Sequence, residues 1–322
     1  MSQSIQVAVL MIPGTAQSAV YGLIDLFQSA NRILAQMQQG SELSFEVSRW
    51  QLEEGELTAL DTHADSPSLV IVPPILAGQA YLEPHPELCA QLTGWHQRGA
   101  VVSSACAGSF LLAQAGLLEG RTATTHWQLE GAFRKYYPDV ELDTDSLLLA
   151  DSDLVTAGGV MAWMDLGLHL IGRYVPPTVV QALARFLLVD TGTRQQSYYR
   201  GFIPVLDHSD KPILMVQHHI HREYGQPLSV GEMAQVASLS ERTFIRRFQK
   251  ATGMRPAEYL QHQRVQKARE MLENTATTVE RVGWQVGYED VSAFRRMFQK
   301  HTGLTPGQHR ERFCGHSPES PK

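Results

Sequence analysis

Cys106 stands in VVSSACAGSFLLAQAG, where a β-rich apolar run ends, small residues crowd together and a helix-like run begins. A thiol on such a strand-to-helix elbow can attack a carbonyl carbon if a base takes its proton and N–H donors receive the oxyanion. Aligned amides at a helix start are expected to lower its pKa. A second chemistry lies near the end of the chain. SERTFIRRFQKATGMRP (240–256) and DVSAFRRMFQKHTGLTP (290–306) share Phe244/Phe294, Arg246/Arg296, Phe248/Phe298, Gln249/Gln299 and Gly253/Gly303 at one fixed offset. Arginine and glutamine side chains presented together can hydrogen-bond base edges and phosphates. A third pattern, His218 and His221 in QHHIHRE, has metal-like i,i+3 spacing but no third ligand, so no metal is expected.

Elements must hold these residues in place. IQVAVLMI (5–12), SLVIVP (68–73), AVVSSA (100–105) and DLVTAG (153–158) are short apolar β-rich runs, separated by helix-like stretches at 19–38, 87–98 and 161–174. This alternation predicts an α/β domain with a mainly parallel sheet, a flavodoxin-like sandwich, whose ligands bind at the carboxyl ends of the strands. Cys106 and the Gly158–Gly159 turn both fall there. The repeat predicts helices instead. Ser240 is a candidate N-cap and Gly253 a candidate C-terminal stop. With the Phe244/Phe248 stripe turned inward, Arg242, Arg246 and Gln249 face outward; in the second copy Ser292, Arg296 and Gln299 do so. A short helix, SVGEMAQVA or TVERVGWQVG, precedes each, which makes two helix-turn-helix pairs in an all-α domain. Between them Pro256 opens a helix of about 17 residues, on the order of 25 Å long, enough to set two recognition helices about one DNA turn apart.

Charge separates the two regions. Residues 1–210 carry 10 Lys/Arg against 22 Asp/Glu, a balance of −12, while residues 211–322 carry 17 against 11, a balance of +6. A basic end holding the repeat is suited to nucleic acid. The polar, Gly/Pro-punctuated stretch between them marks a linker, giving domains at 1–190 and 213–316, a linker at 191–212 and a tail at 317–322. Cys89, Cys106 and Cys314 are odd in number and unrelated in spacing, so free thiols are expected. No stretch reaches the roughly 18 apolar residues of a membrane helix, which leads to the expectation of a cytoplasmic protein.

Residues 228–313 resemble the DNA-binding domain of AraC/XylS-type transcription regulators. The resemblance implies that the outward faces of the third and sixth helices enter successive major grooves of double-stranded DNA. It assigns Arg242, Ile245 and Arg246 to the first groove and Ser292, Ala293 and Arg296 to the second, with the apolar Ile245 and Ala293 suited to thymine methyls. Such regulators, often activators, imply RNA polymerase as a partner and a homodimer formed through the N-terminal domain.

Residues 5–188 resemble the PfpI-like branch of the class I glutamine amidotransferase-like superfamily, through Cys106 in SACAG, Asp25 in YGLIDLF, His126 in RTATTHW and TAGGVMAWMDLGLHLI. The resemblance places Asp25 beside the cysteine. It also shows a departure: hydrolytic members carry His directly after the cysteine, where this chain has Ala107, so only the distant His126 could be a base. Plain structural roles stand beside these: a small buried Cys106, a solvated Asp25, a core His126. Together the two regions resemble the amidotransferase-like subgroup of AraC regulators, some of which sense small nitrogenous metabolites. The expectation is a transcription regulator, not an enzyme and without cofactor, whose effector meets Asp25, Cys106, Ala107, His126, Gly158 and Gly159. The competing readings are a cysteine-dependent hydrolase or hydratase fused to a DNA-binding domain, and an architectural DNA binder.

Overall fold

The computed structural model describes residues 3–37, 43–61, 66–191 and 194–314. The expected tail lies outside them. The chain divides into two units at the Gln196–Ser197 bond.

Unit 1 is a seven-stranded sheet covered by helices. Its strands are β1 (Gln3–Met11), β2 (Leu43–Glu53), β3 (Glu56–Ala59), β4 (Leu69–Val72), β5 (Val101–Ala105), β8 (Leu148–Ala150) and β9 (Leu154–Ala157); β6 (Thr122–Ala123) and β7 (Glu141–Leu142) pair separately. The order is β3-β2-β1-β4-β5-β9-β8. The five inner strands are parallel, with Val7 opposite Val47 and Leu69, and Ser103 opposite Ile71 and Val155; β3 and β8 close the edges antiparallel. The helices are α1 (Gln17–Met37), α2 (Pro86–Gln97), α3 (Ser109–Gln114), α4 (Glu130–Tyr136), α5 (Trp163–Gly172) and α6 (Pro177–Leu187).

Alternating side chains of the buried strands feed two cores. Val7, Val9, Leu69, Ile71 and Val155 join the apolar stripes of α1, α5 and α6 on one face. Val70, Val72, Val102 and Cys106 join α2, α3 and Phe133 on the other. The four expected strands are β1, β4, β5 and β9. β2 has no counterpart among them, because it alternates polar and apolar residues one strand from the edge, and only Phe45, Ser48, Trp50 and Leu52 of it are buried.

Unit 2 is all helical: α7 (Lys211–Glu223), α8 (Val230–Val236), α9 (Glu241–Thr252), α10 (Pro256–Asn274), α11 (Val279–Gln285), α12 (Val291–Thr302) and α13 (Pro306–Phe313). The pairs α8–α9 and α11–α12 are the two helix-turn-helix elements. Gly253 and Gly303 end α9 and α12 with φ of 77° and 73°, a left-handed turn that glycine adopts without strain. Asp290 caps α12 by accepting from the Ser292 and Ala293 N–H groups at 2.9 and 3.1 Å. Ser240 holds the N-cap position of α9 but does not cap it through its side chain; its hydroxyl bonds Thr243 Oγ1 at 3.0 Å instead. Each pair has its own core. Phe244, Phe248, Tyr259 and Leu260 close the first, and Phe294, Phe298, Val265, Ala268 and Leu272 the second. The spacer α10 therefore gives its first half to one core and its second half to the other.

The stretch that composition marks as a linker is tied down on both sides of the division. Gln196 is buried in unit 1, and Phe202 and Val205 are held in unit 2.

Candidate functional site

β5 delivers Cys106 at its carboxyl end, and the chain turns there through a left-handed φ of 55°. For a residue with a side chain this conformation costs on the order of 1–3 kcal/mol, so its surroundings must impose it. Two hydroxyls do so, as Ser109 Oγ and Thr125 Oγ1 donate to the Cys106 carbonyl at 3.0 and 2.9 Å. The elbow is thus present. Its thiol differs from the expected one. Cys106 is 4% exposed among Ala107, Phe110 and their neighbours, and burial pushes it up from 9.0 to about 11, outweighing the opposing Ala107 N–H. α3, only six residues long, adds a weak dipole. At neutral pH the group is a neutral thiol. Iodoacetamide at pH 8 should therefore leave Cys106 unmodified in the folded chain and label it after denaturation, as mass spectrometry of the peptides would show. Labelling of the folded protein within minutes would contradict this.

The structure separates the expected partners. Asp25 is exposed more than two turns into α1, which covers the sheet face opposite the core that holds Cys106. Its assignment to the site is corrected on that ground. His126 follows Thr125 and so lies close to the elbow along the chain, half-buried and stacked on Trp127 at 5.7 Å. Its Nδ1 accepts from the Gln128 N–H at 3.2 Å, which puts the proton on Nε2, and burial lowers its pKa. Among the described residues no hydrogen bond joins His126 to Cys106 or to a carboxylate. Ala107 is fully enclosed, while Gly158 and Gly159 turn the chain after β9, Gly159 with φ of 98°. A separate cleft of about 470 Å³ opens along α5 and α6, lined by Asp165, His169 and Arg173.

One group next to the elbow carries no sequence signal. Gln196 is 3% exposed and fills a polar socket. Its Nε2 donates to Thr124 Oγ1, Thr125 O and Ser146 O at 3.0, 2.9 and 3.0 Å, and its Oε1 accepts from the Trp127 N–H at 3.1 Å. A Cβ at Gly158 would lie 1.9 Å from that nitrogen, so any larger residue there would displace the carboxamide.

In unit 2 the outward faces of α9 and α12 match one another. Arg242, Arg246 and Gln249 are exposed on α9, as are Ser292, Arg296 and Gln299 on α12. Each Arg-Arg doublet is sorted by ion pairing. Arg247 is held by Asp210 through bonds of 2.9 and 2.7 Å, leaving Arg246 outward, and Arg295 is held by Glu280 at 2.6 Å, leaving Arg296 with only a 4.0 Å approach to Asp290. Ile245 and Ala293 are half-buried. Ile245 packs partly on the first core, so only part of its surface remains for a DNA base.

A family model described as the DJ-1/PfpI family matches residues 6–173, and one described as a helix-turn-helix domain matches residues 233–312. The chain belongs to the DJ-1/PfpI family. The HTH-type transcriptional regulator CdhR of Pseudomonas aeruginosa is 30% identical to it over 70% of this chain and 67% of CdhR. Two further HTH-type transcriptional regulators of that organism are similar: ArgR, 29% identical over 76% of this chain and 74% of its own length, and GbdR, 26% identical over 67% and 59%. Joined to its AraC-type helix-turn-helix unit, the DJ-1/PfpI domain is part of a transcription regulator. No helix among the described residues is long and apolar enough to cross a membrane.

Proposed function

We propose that α9 and α12 read two successive major-groove segments of one operator, and that the DJ-1/PfpI domain binds a small effector at the carboxyl ends of β5 and β9. The twin exposed faces, each with one outward arginine beside one held close by a carboxylate, carry the first part. The 19-residue α10 spans about 28 Å, close to one turn of DNA. The second part is carried by a strained elbow whose thiol is neutral. Such a group lacks the thiolate and paired base of a cysteine hydrolase. Thr125, His126, Gly158 and Gly159 supply the polar atoms around it. An effector that binds better to the DNA-competent arrangement shifts the population toward it. The homodimer would form through unit 1, where Phe186 and Leu188 at the end of α6 are exposed.

The test is paired calorimetry and gel shift on the full chain, with an effector found by thermal-shift screening of metabolites and a DNA fragment selected from a random pool. Cys106→Trp is unsuited to it, because a bulky side chain in so enclosed a position would break the core. Cys106→Ser should keep the effector response. His126→Ala should weaken effector binding by about tenfold, the worth of one hydrogen bond, and leave effector-free DNA affinity unchanged. Loss of the response in Cys106→Ser while effector binding persists would favour covalent chemistry. Weakening by Arg173→Ala and not by His126→Ala would move the effector to the α5–α6 cleft.

A further inference from the structure

The Gln196 socket lies against the elbow, and the residues that follow Gln196 form a strap over both helix-turn-helix pairs. Arg269 of α10, nearly buried and held down to about 10 by that burial, donates to the carbonyls of Ser197, at 3.0 Å, and Arg200. Tyr198 packs where a Cβ at Gly303 would come within 2.8 Å, and Arg312 lies over the Tyr198 and Tyr199 rings at 5.2 and 5.7 Å. These contacts fix the strap to the second pair. Phe202 meets the Tyr259 ring edge-on at 5.0 Å and stacks on His262 at 5.4 Å, and its N–H donates to Gln266 at 3.1 Å. These fix it to the first pair.

We propose that Gln196 is a latch, tying the state of the effector site to the strap 197–205 and so to the relative setting of the two recognition helices. The inference rests on the effector reading above. The anchors are adjacent residues, Gln196 in unit 1 and Ser197 in unit 2, so one peptide bond connects a filled socket to a held strap. Withdrawing the carboxamide takes the partner from the Trp127 N–H and, among the described residues, leaves Thr125 O and Ser146 O only the Thr124 hydroxyl, which bonds them at 3.4 and 3.0 Å, a loss that makes seated and unseated two discrete states. Thr125 belongs to both the socket and the elbow, since its carbonyl accepts from Gln196 and its hydroxyl holds Cys106. A ligand that moves the 124–126 segment or the Gly158 turn changes the seat of the latch.

Hydrogen exchange read by mass spectrometry on the full chain tests this without DNA or effector, so the latch can fail while the functional reading stands, and the reverse. Gln196→Leu should raise exchange across 197–205 by about tenfold, along with that of 124–128. Gly158→Ala, whose Cβ would come within 1.9 Å of the carboxamide nitrogen and 2.7 Å of the Thr125 carbonyl, should do the same and serves if the first variant does not fold. Two glycines inserted between Gln196 and Ser197 should abolish the effect of either substitution on 197–205 while leaving its effect on 124–128. Unchanged exchange across 197–205 when 124–128 loses protection would overturn the latch, as would an effect that survives the insertion.

Discussion

Phe298→Ala should destabilise the second helix-turn-helix pair by about 3–5 kcal/mol, the cost of emptying an aromatic site in a small core. Phe298 is fully buried, with Phe294 5.8 Å away at 61° and His309 5.3 Å away at 80°. The core it belongs to is small: among the described residues its buried apolar members besides the two rings are Val265, Ala268, Leu272, Val282 and Val286. The first pair has a separate core around Phe244 and Phe248, so the loss should be local. Urea unfolding followed by hydrogen exchange should show α11 and α12 opening early while α8 and α9 keep their protection. Equal loss in both pairs would mean that α10 melts as one unit and couples them.

Arg246→Ala and Arg296→Ala should each weaken specific DNA binding by about 1–3 kcal/mol and relax the base preference in one half-site. Their neighbours are the controls. Arg247 and Arg295 are spent on Asp210 and Glu280, so replacing them should loosen local structure without changing which bases are preferred. Gel shifts against single-base variants of the selected fragment separate the two outcomes. An altered preference in Arg247→Ala but not in Arg246→Ala would reverse the assignment of the recognition face.

The repeat was legible because two copies of Phe-x-x-x-Phe with a glycine stop leave one solution for what faces in and what faces out. The elbow was legible for a similar reason: AVVSSA before Cys106, made of β-branched and small residues without a charge, marks a strand buried on both faces. Asp25 was misplaced because its motif says nothing of which sheet face α1 covers, and the strand order decides that. The thiol pKa was misjudged because burial is a property of the assembled core, and here it exceeds the effect of a short helix. Gln196 was invisible. It sits in a polar stretch that reads as linker, and its burial follows from three oxygens supplied by residues some 50 to 72 positions away. Arg269 is similar, a charged residue on a long helix whose partners, Ser197 and Arg200, lie about 70 positions earlier.

The most direct test of the whole account is to footprint a DNA fragment selected by the full chain from a random pool, comparing the parent protein with Arg246→Ala and Arg296→Ala. Two protected major-groove segments about one helical turn apart are predicted, with each variant losing a different one. A single protected segment, or the loss of the same segment in both variants, would contradict the reading of one operator by two recognition helices.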